Sequence, residues 1–542
     1  MLNYIWVALI LLGVSAAITT DIINNSNDKY RNNNPFPVVI SLNDNSQLEE
    51  GNQKVKILVS AQEFNKFYGS RIKSDIVLNA ELNYKKQSAS GFVTITTDKN
   101  FPEIWKEMAE ASGGKNNLSG TIRIGEQISS TSFEAKIIFE KVSFLKMKDV
   151  TNAVIDYAGT AVKIAIGLIG IMALWLGVMK VAEEAGLIRI IANALKPFTK
   201  RLFPDIPSDH PAMSSIIMNI SANMLGLGNA ATPFGLKAME DMEELNPNKG
   251  TASNSMVTFL AINTAGLTLI PATAIAVRAA SGSSNPAIII GTSIFGALCA
   301  TIAGVTAAKV IEKFYLKDWN FSNWIKKNAR QIIIVALFFI ALVLFFLTGL
   351  ANELTNFLSF ISAEGFKNFI EVVSTLAIPL LIIVFVGYGV IKKVKVYESF
   401  VEGAKEGFNI AVKIIPYLVA MLVAIGIFRA GGAMDWLIYI LKPITNLIGM
   451  PAEALPMALM RPLSGSGSLG VMSENLAVYG PDSFLGVLVS TFYGSTETTF
   501  YVLALYFGAV NIKSTRHAVP VGLIADVAGI LGALFIVKLL FS

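Results

Sequence analysis

Asn219-Ile-Ser-Ala-Asn-Met-Leu-Gly-Leu-Gly-Asn-Ala-Ala-Thr-Pro-Phe-Gly235 is apolar enough for a lipid bilayer, yet it carries three Asn, one Ser, one Thr, one Pro and three Gly. Irregular, polar backbone survives at membrane depth only where it faces protein or a wet cavity. The stretch therefore reads as a broken, re-entrant segment. A second one lies far downstream, Arg461-Pro-Leu-Ser-Gly-Ser-Gly-Ser-Leu-Gly470. Two glycine-broken segments in an apolar chain point to a paired binding site inside a membrane.

The rest of the composition agrees. The chain has 542 residues, of which 53% are hydrophobic and 15% charged, against roughly 25% charged in soluble domains. The formal net charge is +5, and no basic patch interleaved with aromatics suggests nucleic-acid binding. One cysteine, Cys299, and two histidines leave no disulfide framework and no Cys/His metal set. No metal or other cofactor is expected.

Apolar runs cover 2–18, 153–181, 255–279, 286–308, 331–350, 374–391, 409–428, 484–510 and 518–541. Each approaches the ~20 residues a membrane helix needs. The first run lacks a basic leader and reads as an uncleaved span rather than a signal peptide. The loop 309–330 holds six Lys or Arg against two acids, and Lys392-Lys-Val-Lys395 is basic too, which places both in the cytoplasm. Working outward from them, 182–210 is also inside if 219–235 dips in and returns. The N-terminus is then cytoplasmic and the segment after the first span is outside.

That segment, 21–149, has a different character. Ser74-Asp-Ile-Val-Leu-Asn-Ala-Glu-Leu-Asn83, Gly91-Phe-Val-Thr-Ile-Thr-Thr97, Thr121-Ile-Arg-Ile124 and Phe133-Glu-Ala-Lys-Ile-Ile-Phe139 alternate with period two, as half-buried strands do. Residues 101–111 read as one helix. This is a soluble, β-rich insert whose balanced charges say little about a partner.

The second half of the chain repeats the first. Ala161-Val-Lys-Ile164 recurs as Ala411-Val-Lys-Ile414, and Ala194-Leu-Lys-Pro-Phe198 as Ile440-Leu-Lys-Pro-Ile444. The pair Gly226 and Gly228 recurs as Gly465 and Gly467, and Thr264-Ala-Gly-Leu-Thr-Leu-Ile-Pro271 falls opposite Ser495-Thr-Glu-Thr-Thr-Phe-Tyr501. The first copy opens on an inward span and the second on an outward one, so the repeats are expected to be inverted, as in many secondary transporters. Each Leu-Lys-Pro helix is expected to stop at its proline.

Trp175-Leu-Gly-Val-Met-Lys-Val-Ala-Glu-Glu-Ala-Gly186, Asn223-Met-Leu-Gly-Leu-Gly-Asn-Ala-Ala-Thr-Pro233 and Thr258-Phe-Leu-Ala-Ile-Asn-Thr264 resemble the spore maturation protein A family. Phe400-Val-Glu-Gly-Ala-Lys-Glu-Gly407, Met460-Arg-Pro-Leu-Ser-Gly-Ser-Gly467 and Gly494-Ser-Thr-Glu-Thr-Thr-Phe500 resemble spore maturation protein B. The chain looks like a fusion of the two, each half similar to the nucleoside-recognition gate domain. The resemblance covers 1–20 and about 150–542, and the insert has no counterpart in it. It implies a bacterial inner-membrane protein linked in spore formers to dehydration of the spore core, and it extends to the gate domains of nucleoside and ferrous-iron transporters.

The organisation read from all this is a first span (1–20), an extracytoplasmic insert (21–149), a first gate repeat (150–316), a two-span linker (317–395) and a second gate repeat (396–542). The fold class is an all-α polytopic membrane protein with re-entrant broken segments and an inserted β-rich domain. Candidate solute contacts in the first repeat are Asn219, Asn223, Asn229, Thr232, Asn263 and Thr264, with Gly226 and Gly228 breaking the backbone. In the second they are Arg461, Ser464, Ser466, Ser495, Thr496, Glu497 and Thr498, with Gly465 and Gly467. An intramembrane carboxylate is costly and is paired, protonated or functional, so Glu497 and Asp526 are candidates for ion coupling, with Arg461 the obvious structural partner of Glu497. Glu183 and Glu184 read as a solvated helix face.

Enzyme readings fare poorly. The glycine pairs satisfy a loose dinucleotide fingerprint, but membrane helices rather than a βαβ unit flank them. Ser466, His517 and Asp526 invite a hydrolase, yet Gly465-Ser-Gly-Ser is no nucleophile elbow. The expected function is transport of a small polar or nucleoside-like solute by alternating access. The alternative is a non-transporting maturation factor whose insert recruits an extracytoplasmic protein. Membrane lipid is an expected partner in either case, and a homo-oligomer is compatible with both.

Overall fold

The computed structural model describes residues 2–42, 48–97, 101–111, 117–315, 329–330, 333, 337 and 363–541. The chain divides into two units, one formed by residues 8–154 and 426–435, the other by 1–7, 155–425 and 436–542.

In the smaller unit, helix α1 (Leu2–Ser26) leads into strands β1 (Phe36–Leu42) and β2 (Gly51–Val59), helix α2 (Ala61–Tyr68), β3 (Ile76–Lys85), β4 (Ser90–Thr96), helix α3 (Glu103–Ala111), β5 (Asn117–Gln127) and β6 (Ser132–Phe139). The strands form a closed antiparallel barrel in chain order, and β1 pairs with β6 to complete it. Closure leaves no free sheet edge. Period-two alternation turns one face of each strand inward, so Ile40, Ile57, Leu82, Ile95 and Ile137 are fully buried. Trp105 of α3 joins that core, with ring centroids 4.9 Å from Phe139 and 5.4 Å from Phe64 of α2. The sequence pattern located β3 to β6 and α3, but not β1, β2, α2 or the closure.

The exit from the barrel is α4 (Leu145–Glu184). Its first N–H groups lack intrahelical acceptors, and the buried Asp21 carboxylate accepts from Lys146 N–H at 2.9 Å and Met147 N–H at 3.0 Å.

The larger unit holds two helix series in the same order. The first is α4, α5 (Leu187–Leu202), α6 (Pro211–Met224), α7 (Gly228–Leu245), α8 (Asn254–Ala265), α9 (Ala272–Ala280) and α10 (Ile289–Ile311). After α11 (Ala363–Ile391) the second runs α12 (Val396–Ala430), α13 (Ala433–Leu447), α14 (Leu455–Met460), α15 (Gly465–Tyr479), α16 (Phe484–Ser495), α17 (Thr499–Ala509) and α18 (Ala518–Phe541). Both series run long helix, amphipathic helix, short pair, split pair, long helix. Five helices among the described residues are long and apolar enough to cross a membrane: α1, α4, α10 with its leading turn, α12 and α18. This is a multi-pass membrane protein. Apart from residues 333 and 337, the apolar run 331–350 lies outside the described residues.

Small residues let these helices approach closely. A Cβ on Gly407 would lie 2.5 Å from the Met172 carbonyl oxygen, which sets α12 against α4. Gly532 faces Cys299, Gly304 faces Ala525, and the Thr292 and Thr491 hydroxyls meet at 2.9 Å, binding α8, α10, α16 and α18 into one core.

Two expectations are corrected. The runs 255–279 and 484–510 are not continuous spans: each is split, into α8 and α9 and into α16 and α17. Leu267, Leu269 and Ile270 keep the first break apolar, so hydropathy alone cannot register it. Nor does proline end the Leu-Lys-Pro helices. Pro197 and Pro443 lie inside α5 and α13, which run on to Leu202 and Leu447.

Candidate functional site

The site is built where the helices break. Between α6 and α7 the chain turns through Gly226, at φ +77°, and a Cβ there would sit 2.9 Å from the Ile270 carbonyl oxygen. Glycine meets both demands. Leu269, in the break between α8 and α9, donates its N–H to the Met224 carbonyl at 2.8 Å. The second series repeats this arrangement: Phe500 donates its N–H to Pro462 at 3.1 Å, so the tip between α14 and α15 holds the break between α16 and α17. The two breaks also meet each other. Glu497 N–H donates to the Thr264 carbonyl at 2.8 Å, beside Gly266 at φ +56°.

A cavity of about 450 Å³ opens around this junction. Its walls are the first tip (Asn223, Gly226, Leu227), the first break and the start of α9 (Gly266 to Ala274), the second break (Tyr493 to Glu497), Arg461, and one face each of α4 and α12. From those two faces come Lys180, Glu183 and Glu406. Lys180 stands 3.4 Å from Glu183.

On the first-repeat side lies an amide network. Asn223 donates to Asn263 Oδ1 at 2.9 Å, and Asn263 donates to the Phe259 carbonyl at 2.9 Å. Asn219 donates to the Ala231 carbonyl at 2.9 Å and to the Tyr506 hydroxyl at 3.2 Å, and Tyr506 donates on to Asn263 Oδ1 at 3.4 Å. Every amide in it points at a partner, as buried polar groups must. Asn223 alone of the three lines the cavity.

On the second-repeat side Arg461 is buried. Its Nη2 donates to the Thr496 carbonyl, at the C-terminal end of α16 where helix carbonyls lack partners. Its guanidinium lies 4.4 Å from the Tyr493 ring centroid. Glu497 stands 3.6 Å from Arg461 with its side chain 52% exposed, so the expected ion pair exists, but it is long and open to the cavity. Asp526 of α18 is buried, and accepts from the Thr499 hydroxyl at 2.5 Å at the start of α17.

Of the sequence candidates, Asn223, Gly226, Arg461, Thr496 and Glu497 line the cavity. Asn219 and Asn263 stand behind Asn223 as supports. Ser464 caps α15, its Oγ accepting from Gly467 N–H at 3.0 Å, and Ser466 lies 3.3 Å from it. Ser495 donates to the Thr491 carbonyl within its own helix. Thr232, Thr264, Thr498, Gly465 and Gly467 lie outside the cavity lining, and the surroundings of Gly228 and the Asn229 side chain lie outside what the structure describes. Glu183, read as a solvated face, lines the cavity: the split helices leave open the space that its face of α4 borders. Lys180, Glu406, Tyr493 and Tyr506 were missed. The aromatics look like core, and Lys180 and Glu406 look like helix-end charges until the helices are placed.

At the far ends of the split pairs a second polar cluster joins the repeats. Arg278 is fully buried and reaches the Asp482 carboxylate at 3.0 Å, while Ser283 and Ser284 donate to the same group. Burial works upward on the Asp482 pKa, but the serine hydrogen bonds and the Arg278 charge outweigh it and hold the carboxyl below its ordinary value.

The nucleoside-recognition (Gate) family model matches this chain twice, over residues 165–281 and 411–513. Spore maturation protein B of Bacillus subtilis (strain 168) is 53% identical over 175 residues, which is 32% of this chain and 98% of that protein. Spore maturation protein A of the same organism is 50% identical over 171 residues, 32% of this chain and 86% of its own length. Inner membrane protein YjiG of Escherichia coli (strain K12) is 35% identical over 86 residues, 16% of this chain and 56% of that protein. No solved structure matches.

Proposed function

The chain belongs to the family of spore maturation proteins A and B, and from that premise we propose that it is an inner-membrane transporter moving a small polar solute by alternating access. The observation that carries this reading is the meeting of two helix breaks, Glu497 N–H to Thr264 carbonyl at 2.8 Å, on the wall of a cavity lined by ionisable groups. Broken helices crossing at a polar site are the architecture of secondary transporters. The two gate matches and the shared order of seven helices support internal repeats. The basic loops on either side of 331–391 support their inversion and an extracytoplasmic barrel. The gate description supports a nucleoside-like solute, and the relatives' names support a link to spore maturation.

A second reading has its own observation. The closed barrel lies outside both gate matches, and a separately folded insert suits a factor that recruits a protein partner. Reconstitution into liposomes separates the two. A transporter loses solute flux on Asn223→Ala or Glu497→Gln while remaining monodisperse. A recruiting factor tolerates both substitutions in cells and fails when residues 30–145 are deleted.

A further inference from the structure

We propose that the solute is a zwitterion, a small molecule bearing a carboxylate and an ammonium on the same carbon, as α-amino acids do. This rests on the transport reading above and names its substrate class.

Lys180, Glu183, Glu406, Arg461 and Glu497 all line the cavity. Charges in membrane segments are costly and mark sites where something charged is handled. An uncharged nucleoside needs amides, hydroxyls and stacking surfaces, and gives such a set of charges nothing to do. A bare anion would meet three carboxylates. A bare cation would meet a buried guanidinium. A molecule with both charges satisfies both kinds of group.

The Arg461–Glu497 pair shows where it would bind. The two side chains stand 3.6 Å apart, beyond the ~2.7–2.9 Å of a charge-assisted hydrogen bond. Among the described residues Arg461 Nε has no acceptor and the Thr496 hydroxyl no partner, although both atoms are buried. Unmet buried donors are expensive, and a solute carboxylate would supply the acceptor that Arg461 Nε and the Thr496 hydroxyl lack. Glu497, half exposed to the cavity, would then take the ammonium that lies beside that carboxylate. The cavity, about 450 Å³, is within the range of small-molecule sites.

The test uses the full-length protein in proteoliposomes, with the common L-amino acids, propionate, ethylamine and uridine as separate labelled probes. At least one amino acid should enter above protein-free vesicles while propionate, ethylamine and uridine do not. Glu497→Gln should cut that flux about tenfold or more, the scale of one charge-assisted contact, at an unchanged unfolding midpoint. Arg461→Lys keeps the charge and the fold but loses the planar fork, and should raise KM more than it lowers maximal flux. Flux of uridine, propionate or ethylamine without any amino acid overturns the zwitterion and leaves the transport reading standing. No flux and no thermal stabilisation with any probe overturns both.

Discussion

The backbone N–H of Glu497 donates to the carbonyl of Thr264 at 2.8 Å, so the two split helices are fastened to each other at their breaks. A freed backbone group at membrane depth has to find a partner, and here each break supplies one for the other. The junction therefore holds the split helices together on the wall of the proposed solute site.

Gly266→Ala should lower the unfolding midpoint. The position has φ +56° and a Cβ there would lie 2.7 Å from Glu497 Cγ, so conformational strain and crowding act together. A cost of about 1–2 kcal/mol is expected from the left-handed conformation. Gly159→Ala, whose Cβ would meet no atom of the described residues within 4 Å beyond its own helix backbone, is the control. Equal midpoints for the two variants would contradict the proposed role of the junction.

Tyr506→Phe removes a hydroxyl that accepts from Asn219 and donates to Asn263. Leaving those amide groups short of a partner should cost about 1–3 kcal/mol. Because Asn223 hangs from Asn263, solute affinity should fall with stability. Thermal unfolding in detergent with and without solute measures both.

Acid should weaken the Arg278–Asp482 cluster. Its carboxyl titrates below the ordinary value in the folded chain, so its stabilisation is complete above the unfolded pKa of about 3.9 and is lost as pH falls through the lower folded value. Asp482 is 43% exposed, so the contribution is under about 1 kcal/mol. Asp482→Asn should flatten the midpoint-versus-pH curve below about pH 4 and leave the slope above pH 5 unchanged.

Trp105→Ala should unfold the barrel before the helices. The indole is fully buried and touches Phe36, Phe64, Phe101 and Phe139. Emptying that space should cost about 3–5 kcal/mol. Circular dichroism should show loss of strand signal at a temperature where the helical signal remains.

Much of this was legible in the sequence because periodicity and charge are local. The Asn219–Gly235 stretch announced its own break through glycine and asparagine, and the recurrence of Gly226 and Gly228 at Gly465 and Gly467 announced its counterpart. The breaks at 266–271 and 496–498 escaped. Leu267, Leu269 and Ile270 carry the apolar run straight through the first, and Gly266 and Pro271 are no stronger signals there than Pro416, which sits inside unbroken α12. Glu497 was legible because a carboxylate among apolar residues stands out, whereas Lys180, Glu183 and Glu406 belong to helix ends rich in charge. Their cavity face is set by how α4 and α12 pack, through Gly403 and Gly407 against Leu176 and Met172, and no single segment encodes that.

Asp21 reaches across from the end of α1 to the first turn of α4, so the two ends of the barrel insertion lie within a hydrogen bond of each other. A segment whose entry and exit coincide can be removed, lengthened or exchanged without stretching the helices that carry it. The barrel is thus a cassette. The same scaffold could accept another soluble domain between Asp21 and Lys146, or a short turn, and what this chain holds there could change in evolution independently of its membrane helices.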